Sequence, residues 1–425
     1  MTAAPLLLDT PEASTPVVAA PAAAAAGDAL LPVYKRQPVT LVRGRGVELF
    51  DDRGRAYLDF TSGIAVNALG YDDPGLQAAL RAAVEGGLVH TSNLYRTLPG
   101  ERLARLLVER SFASRVFFCN SGAEANEGAF KFARRWARKC GGGVKHEIVA
   151  LRGAFHGRLF ATLAATDRPG YRMPFRPLAG GVTIGERDLA DLETLVDAET
   201  TAAVIVEPVQ GEGGVRVLDA GWLRALRQLT RERNVALILD EIQCGLGRTG
   251  SLFAYEQAGI EPDLLTLAKP LAGGLPMGAI LMTEQIAAAV EYGDHGTTFG
   301  GGPFVATVAE HVVERLSDPR LLAHVREEGA WLGAQLEAMA ARLESGGRPT
   351  VRAVRGTGFM WGIDVTEPAG AVVARALELG LLVCSAGEFT VRLLPPLVAT
   401  RDELARGLEL LEAALVGGSA REDAA

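Results

Sequence analysis

Apolar and polar residues follow one another along this chain in two rhythms, and the places where the rhythm changes mark out its organisation. From Leu76 the spacing is helical, with Leu76, Leu80, Ala83 and Val84 on one face. Short apolar runs at Val116–Cys119, Ile148–Leu151, Ala203–Glu207, Ala236–Asp240 and Leu264–Ala268 then alternate with amphipathic stretches to about residue 315. That alternation predicts an α/β domain with a mostly parallel sheet flanked by helices. Before it, Leu41–Val47 and Glu48–Phe60 mix apolar and polar residues around a turn at Asp51-Asp52-Arg53-Gly54, which predicts a small antiparallel meander. After Pro319 the pattern is helical to about Ser345, followed by strand-like runs at Val351–Val365 and Leu381–Leu394. Thr400 and Glu403 have capping-box spacing and open a last helix. The expected division is a flexible Ala/Pro-rich tail over 1–30, an N-terminal part of a small domain over 31–75, a large domain over 76–315 and a C-terminal small α+β part over 316–425. No internal repeat is visible.

Polar residues at the carboxyl ends of the sheet strands are the ones to question, because ligands of doubly wound sheets sit there. Lys269 directly follows the run ending at Ala268 and precedes a Pro/Gly-rich turn. The chain has only Lys35, Lys131, Lys139 and Lys145 besides it, and otherwise uses arginine. Desolvation lowers the pKa of such an amine and makes it a nucleophile toward a carbonyl, which an arginine cannot be. The plain alternative is a lysine whose amine reaches back to solvent. Asp240 closes another apolar strand, where a carboxylate is costly unless a cation meets it or it caps the next helix. A protonated pyridine nitrogen is such a cation.

Ser121-Gly122-Ala123-Glu124 begins a helix straight after a strand, so unpaired amides and the helix dipole face a possible phosphate, unless it is simply a capped helix. Past the Ile148–Leu151 run come Phe155, His156 and Arg158. The aromatic could stack on a planar group and the guanidinium clamp a carboxylate, or they are core and surface residues; His156 stays open between packing and stacking. Arg392 stands inside an apolar strand and needs an anion or a structural carboxylate partner. Glycine-rich loops around Glu207–Gly214 and Gly293–Gly302 place polar residues at fixed points and alone mean little. Together these groups point to pyridoxal phosphate acting on a substrate that bears carboxylates.

Charge and cysteine content remove other classes. A net charge of −8 with no basic run speaks against nucleic acid or an anionic membrane as partner. Cys119, Cys140, Cys244 and Cys384 are scattered with no metal-type spacing, which fits a reducing compartment and no metal site. Asp9, Glu12 and Pro21 interrupt the N-terminal apolar run, and its first basic residue is Lys35, so a secretory signal is not expected. The expectation is a cytoplasmic protein without a membrane span.

The motifs at Gly63–Gly70, His90–Tyr95, Phe117–Glu127, Phe155–Arg158 and Leu267–Gly274 are specific in combination, and from about residue 32 to 415 the chain resembles the class III, fold type I, pyridoxal-phosphate aminotransferases. The resemblance implies a homodimer with sites at the subunit interface, Lys269 as the Schiff-base lysine and Asp240 on the pyridine nitrogen. It further implies Gln243 at the ring hydroxyl, Ile242 and Phe155 on the two ring faces, and the Gly122 and Ala123 amides on the phosphate. Thr298 would reach that phosphate across the interface. Arg158 and Thr297 would contact substrate, Arg392 would take the α-carboxylate of glutamate, Glu212 would pair with Arg392 when that carboxylate is absent, and Tyr34 would stand at the substrate entrance. Within the family the resemblance is nearest to transfer of the δ-amino group of N2-acetyl-L-ornithine to 2-oxoglutarate, as in arginine biosynthesis. Donors such as N-succinyl-diaminopimelate, succinylornithine, ornithine or 4-aminobutyrate would use the same cofactor residues. A non-transaminating enzyme on this fold and, more remotely, a nucleotide-binding or scaffold protein are the other readings. Two positions depart from the family pattern: Gly302 precedes Pro303 where asparagine is usual, and Arg96 follows Tyr95 where tyrosine is common.

Overall fold

A computed structural model describes residues 29–348 and 350–417, so the tail expected over 1–30 falls almost wholly outside them. Its main sheet has seven strands in the spatial order Arg115–Cys119, Gly278–Met282, Leu264–Leu267, Ala236–Asp240, Thr201–Val206, Glu147–Leu151 and Val182–Gly185. All neighbours run parallel except Gly278–Met282, which is antiparallel to both of its own. The α/β class expected from the alternating pattern is therefore the one observed, and its central strand is the one that ends at Asp240.

Strand pleating explains why these runs are almost wholly apolar. Leu237 and Leu239 enter one apolar cluster, while Ala236 and Ile238 enter the cluster on the opposite face. The second face is covered by the helix Gly122–Gly141, which buries Ala125, Ala129, Phe132, Ala133 and Trp136 along one stripe. Ser121 caps its start by accepting from the Glu124 amide at 3.2 Å, and Gly142, at φ +78°, ends it. Each strand stops where its apolar run stops: Thr201–Val206 is buried throughout and Glu207 lies just beyond it, one residue short of the expected boundary.

Two smaller sheets gather the ends of the chain. The meander Leu41–Arg45, Glu48–Asp51, Ala56–Asp59 is joined in parallel by Leu381–Leu382, with Leu381 opposite Leu58. The other sheet has the order Val351–Thr357, Met360–Val365, Thr390–Leu393, Cys384–Ser385, with helices Pro319–Ser345, Ala369–Leu379 and Arg401–Val416 around it. The Thr400–Glu403 capping box is present in full. Fully buried Arg248, from the segment after the central strand, donates to the carbonyls of Phe359, at 3.1 Å, and Pro395. That contact fixes the Thr390–Leu393 strand, and with it Arg392, against the end of the main sheet.

Candidate active site

The carboxyl ends of the central strands open into a cavity of about 400 Å³. Lys269 is on its wall because the Leu264–Leu267 strand ends in a sharp backbone bend at Ala268 (φ −159°, ψ −112°), after which Lys269 begins a single 3-10 turn. Burial pulls the Lys269 amine below the usual lysine range, and the nearby Arg392 cation adds to the effect against the opposing pull of Glu212, Asp240 and Glu207.

Asp240 lies at the centre of a buried polar chain. Its Oδ2 accepts from Asn126 Nδ2 at 2.7 Å and sits 2.7 Å from Nδ1 of His156, while Oδ1 accepts from the Ile242 amide at 3.1 Å. Asn126 also donates to the His156 carbonyl at 2.8 Å, and its own Oδ1 accepts from Thr266 Oγ1 at 2.8 Å. Thr266 is the register partner of Asp240 on the next strand, so the chain crosses from helix to two strands and back. Desolvating a carboxylate this far costs several kcal/mol unless its acceptor sites are filled, and here they are. His156 Nε2 is left buried without a partner. Asp240 stands out in the sequence while Asn126 and Thr266 do not, and His156 is open there between packing and stacking; the structure makes that ring a clamp on Asp240.

Glu207 is a second addition. It closes the Thr201–Val206 strand, lines the cavity and accepts from the amides of Phe155 at 2.9 Å and Gly211 at 3.0 Å. Burial raises its carboxyl to about 7. The signal was the same as for Asp240, an acid ending an apolar strand. Its hydrogen bonds set the backbone of Phe155, which lines the cavity together with Ile242.

The cavity brings together Lys269, Asp240, Gly122, Ala123, Phe155, Ile242, Gln243, Arg158 and Glu212. Arg158 is at the exposed mouth with its guanidinium 3.7 Å from the Tyr171 ring centre. Arg392, 1% exposed, joins the group from the small sheet: Nη1 is 2.7 Å from Glu212 Oε1 and donates to Gln243 Oε1 at 3.0 Å, and Nε lies 3.4 Å from Cys384 Sγ. Three expected residues stand elsewhere. Thr297 lines a neighbouring hollow and is tied to the cavity only through Asn120, whose Nδ2 donates to its Oγ1 at 2.9 Å. Thr298 and Tyr34 are exposed and outside the cavity. Gln243 is engaged with Arg392 rather than free in the cavity.

Backbone strain borders the site. Ser62, Gly63, Ile64 and Ala65 are four successive left-handed residues, a conformation costing roughly 1–2 kcal/mol for each residue with a side chain. Asp59 Oδ1 accepts from the amides of Thr61 and Ser62, and Ser62 Oγ donates to the Leu394 carbonyl at 2.6 Å. These bonds hold the turn that sets Val66 in the cavity wall.

The donor set fits a pyridoxal phosphate. Among the described residues the amides of Gly122 and Ala123 have no acceptor, and they begin a twenty-residue helix, as a phosphate requires. A Cβ on Gly122 would lie 2.8 Å from Ile242 Cδ1, so glycine lets the helix start and Ile242 close the same wall. A depressed lysine amine and an anchored carboxylate stand on the same cavity.

Comparison with known proteins agrees with that geometry. The sequence profile of the family described as "Aminotransferase class-III" matches residues 32–415. The acetylornithine aminotransferase of Methanocaldococcus jannaschii is 44% identical over 376 residues, covering 88% of this chain and 92% of the relative. Among solved structures, the N-acetylornithine aminotransferase of Stenotrophomonas maltophilia superposes with a TM-score of 0.79 at 37% identity, over 90% of this chain and 97% of that one. The ornithine aminotransferase of Toxoplasma gondii, described with PLP in partial occupancy at its active site, superposes with a TM-score of 0.84 at 31% identity, over 90% and 91%.

Proposed function

The chain belongs to the class-III aminotransferases, and from that premise we propose that it moves the δ-amino group of N2-acetyl-L-ornithine to 2-oxoglutarate with pyridoxal 5'-phosphate as cofactor. When bound, the cofactor supplies an aldehyde that takes up amines and a ring that accepts an electron pair. The protein does the rest. Lys269, its pKa depressed by burial, would hold that aldehyde through its amine and, when free, would move a proton at the substrate carbon through Nζ. Asp240, fixed by His156 and Asn126, holds a negative charge where the ring nitrogen must stay protonated. The Gly122 and Ala123 amides would hold the phosphate, Phe155 and Ile242 would confine the ring, and Gln243 would meet the ring hydroxyl.

The observation that carries the two-substrate reading is the Arg392–Glu212 pair at 2.7 Å. Acetylornithine has one free carboxylate, which Arg158 would take, with Thr297 reaching it only in the dimer; glutamate has two, and its α-carboxylate would displace Glu212 from Arg392. A carboxylate partner held in reserve lets one buried cation serve both substrates in turn.

Three expected contact residues, Thr298, Thr297 and Tyr34, lie outside the cavity of one chain, and Leu94, Tyr95 and Phe299 are exposed large apolar groups on the neighbouring surface. This supports a homodimer in which Thr298 of the partner subunit completes the phosphate site. The division into a large domain over 76–315 and a small one from 31–75 and 316–425 belongs to the same proposal. So does a cytoplasmic location: all four cysteines are free, and among the described residues no helix is long and apolar enough to cross a membrane.

The test is a panel of amino donors with 2-oxoglutarate, scored by glutamate formed. Acetylornithine should lead. A lead for succinylornithine, ornithine, N-succinyl-diaminopimelate or 4-aminobutyrate would replace the donor and keep the chemistry. No acceptor-dependent product from any donor would remove transamination itself.

A further inference from the structure

Glu212 lines two cavities. One is the site just described; the other, of about 330 Å³, lies behind it and is lined by Arg168, Arg216, Arg352, Asp364 and Glu388 among others. The backbone between them is fixed. Arg168 donates to the Glu212 carbonyl, and Arg355 Nε donates to the Gly214 carbonyl at 2.6 Å. A Cβ on Gly213 would lie 2.8 Å from the Gly153 carbonyl oxygen, and Gly214 is at φ +97°. What remains free to change sides is the Glu212 side chain.

The rear cavity has cations without carboxylates to match. Asp364 is taken by Arg355 in a two-pronged pair at 2.7 and 2.6 Å. Arg168, Arg216 and Arg352 form no ion pair among the described residues, and the other carboxylate, Glu388, is exposed at the rim.

We infer that this rear cavity is a built-in carboxylate site, where Arg216 and Arg168 receive the Glu212 side chain when a dicarboxylate takes Arg392. The inference rests on the two-carboxylate reading above. A carboxylate leaving a buried cation needs a new partner or water. Arginines waiting on the other side of the same residue lower the cost of its leaving, and so set how readily the enzyme accepts glutamate or 2-oxoglutarate. Arg216 and Arg168 are positioning residues: they act through Glu212 and do not touch the substrate.

The experiment is calorimetric binding of glutarate, a dicarboxylate with no amine or keto group, to the holoenzyme. An exposed receiving pair is worth up to about fivefold in apparent affinity, so Arg216→Gln should weaken glutarate by about that factor. Arg168→Gln, which also loosens the Glu212 carbonyl, should do at least as much. In a Glu212→Gln background, where no carboxylate has to be moved, Arg216→Gln should have no effect. An equal loss in both backgrounds, or no loss in either, overturns the inference. Arg392→Ala separates the two levels: if it leaves glutarate affinity unchanged, the two-carboxylate reading itself fails. If it abolishes binding while both rear-cavity variants are silent, only the receiving site fails.

Discussion

His156 Nδ1 and Asp240 Oδ2 are 2.7 Å apart in a fully buried setting, with Asn126 donating to the same oxygen. The imidazole therefore fixes one oxygen of the carboxylate and leaves its charge directed at the cavity. Asp240→Asn keeps the size and removes the charge. Loss of a buried charge partner costs roughly 2–5 kcal/mol, so turnover should fall by about thirtyfold or more while the fold is kept. Steady-state rates with circular dichroism check this, and a rate within about threefold of the parent would reduce Asp240 to a structural hydrogen-bond acceptor.

Lys269 should carry the cofactor. Borohydride reduction, digestion and peptide mass should place a pyridoxyl group there and on none of Lys35, Lys131, Lys139 or Lys145. Lys145 is the informative contrast, because it too is buried, yet it donates to the Ala198 and Arg233 carbonyls and is remote from the cavity. An adduct on any other lysine, or none, would end the mechanism.

Arg392→Ala should separate the half-reactions. A lost charge-assisted pair of roughly 3 kcal/mol is about a hundredfold, and it should appear with glutamate and not with acetylornithine. Single-turnover absorbance of the holoenzyme mixed with each donor measures it. Equal losses would make the arginine structural.

Glu207 gives a pH signature with a defined sign. Its folded carboxyl is raised to about 7, so it binds a proton that the unfolded chain has already released. Its contribution to stability is complete below the ordinary glutamate range and is lost as pH rises through about 7. At roughly 1.4 kcal/mol per pKa unit the whole effect is at most roughly 3.5 kcal/mol. Glu241, raised to about 8 by burial, acts in the same direction, while the lowered Lys269 acts in the opposite one. Denaturation of the parent and of Glu207→Gln from about pH 5 to about pH 8 isolates the term. The parent's advantage should shrink as pH rises; a constant difference would refute it.

What could be read from the chain was whatever desolvation makes expensive. Lys269 and Asp240 stood out because ions at the ends of apolar strands need a reason, and the parallel sheet followed from strands buried on both faces. Glu207 carries that signal too, at the edge of a glycine-rich loop. Asn126 and Thr266 gave none: an amide within a helix and a hydroxyl within a strand are ordinary until the fold brings residues far apart in sequence to 2.8 Å. The pairing of Leu381 with Leu58 is equally invisible locally, since two-residue strands have no period to read. Thr298 and Tyr34 came from family likeness alone, and a single chain leaves them outside its cavity.

The run from Thr266 through Asn126 to Asp240 also bears on how such a protein can change over generations. Each member satisfies a polar atom of the next between helix and sheet, so a single replacement strands a buried group at a cost of roughly 1–3 kcal/mol. Typical folds have only a few such units to spare. At the exposed cavity mouth, where Arg158 stands, a replacement strands no buried group, so its cost falls on substrate binding and not on the fold. In the floor beneath, the same hydrogen bonds serve both chemistry and stability, so a change there is felt in both at once.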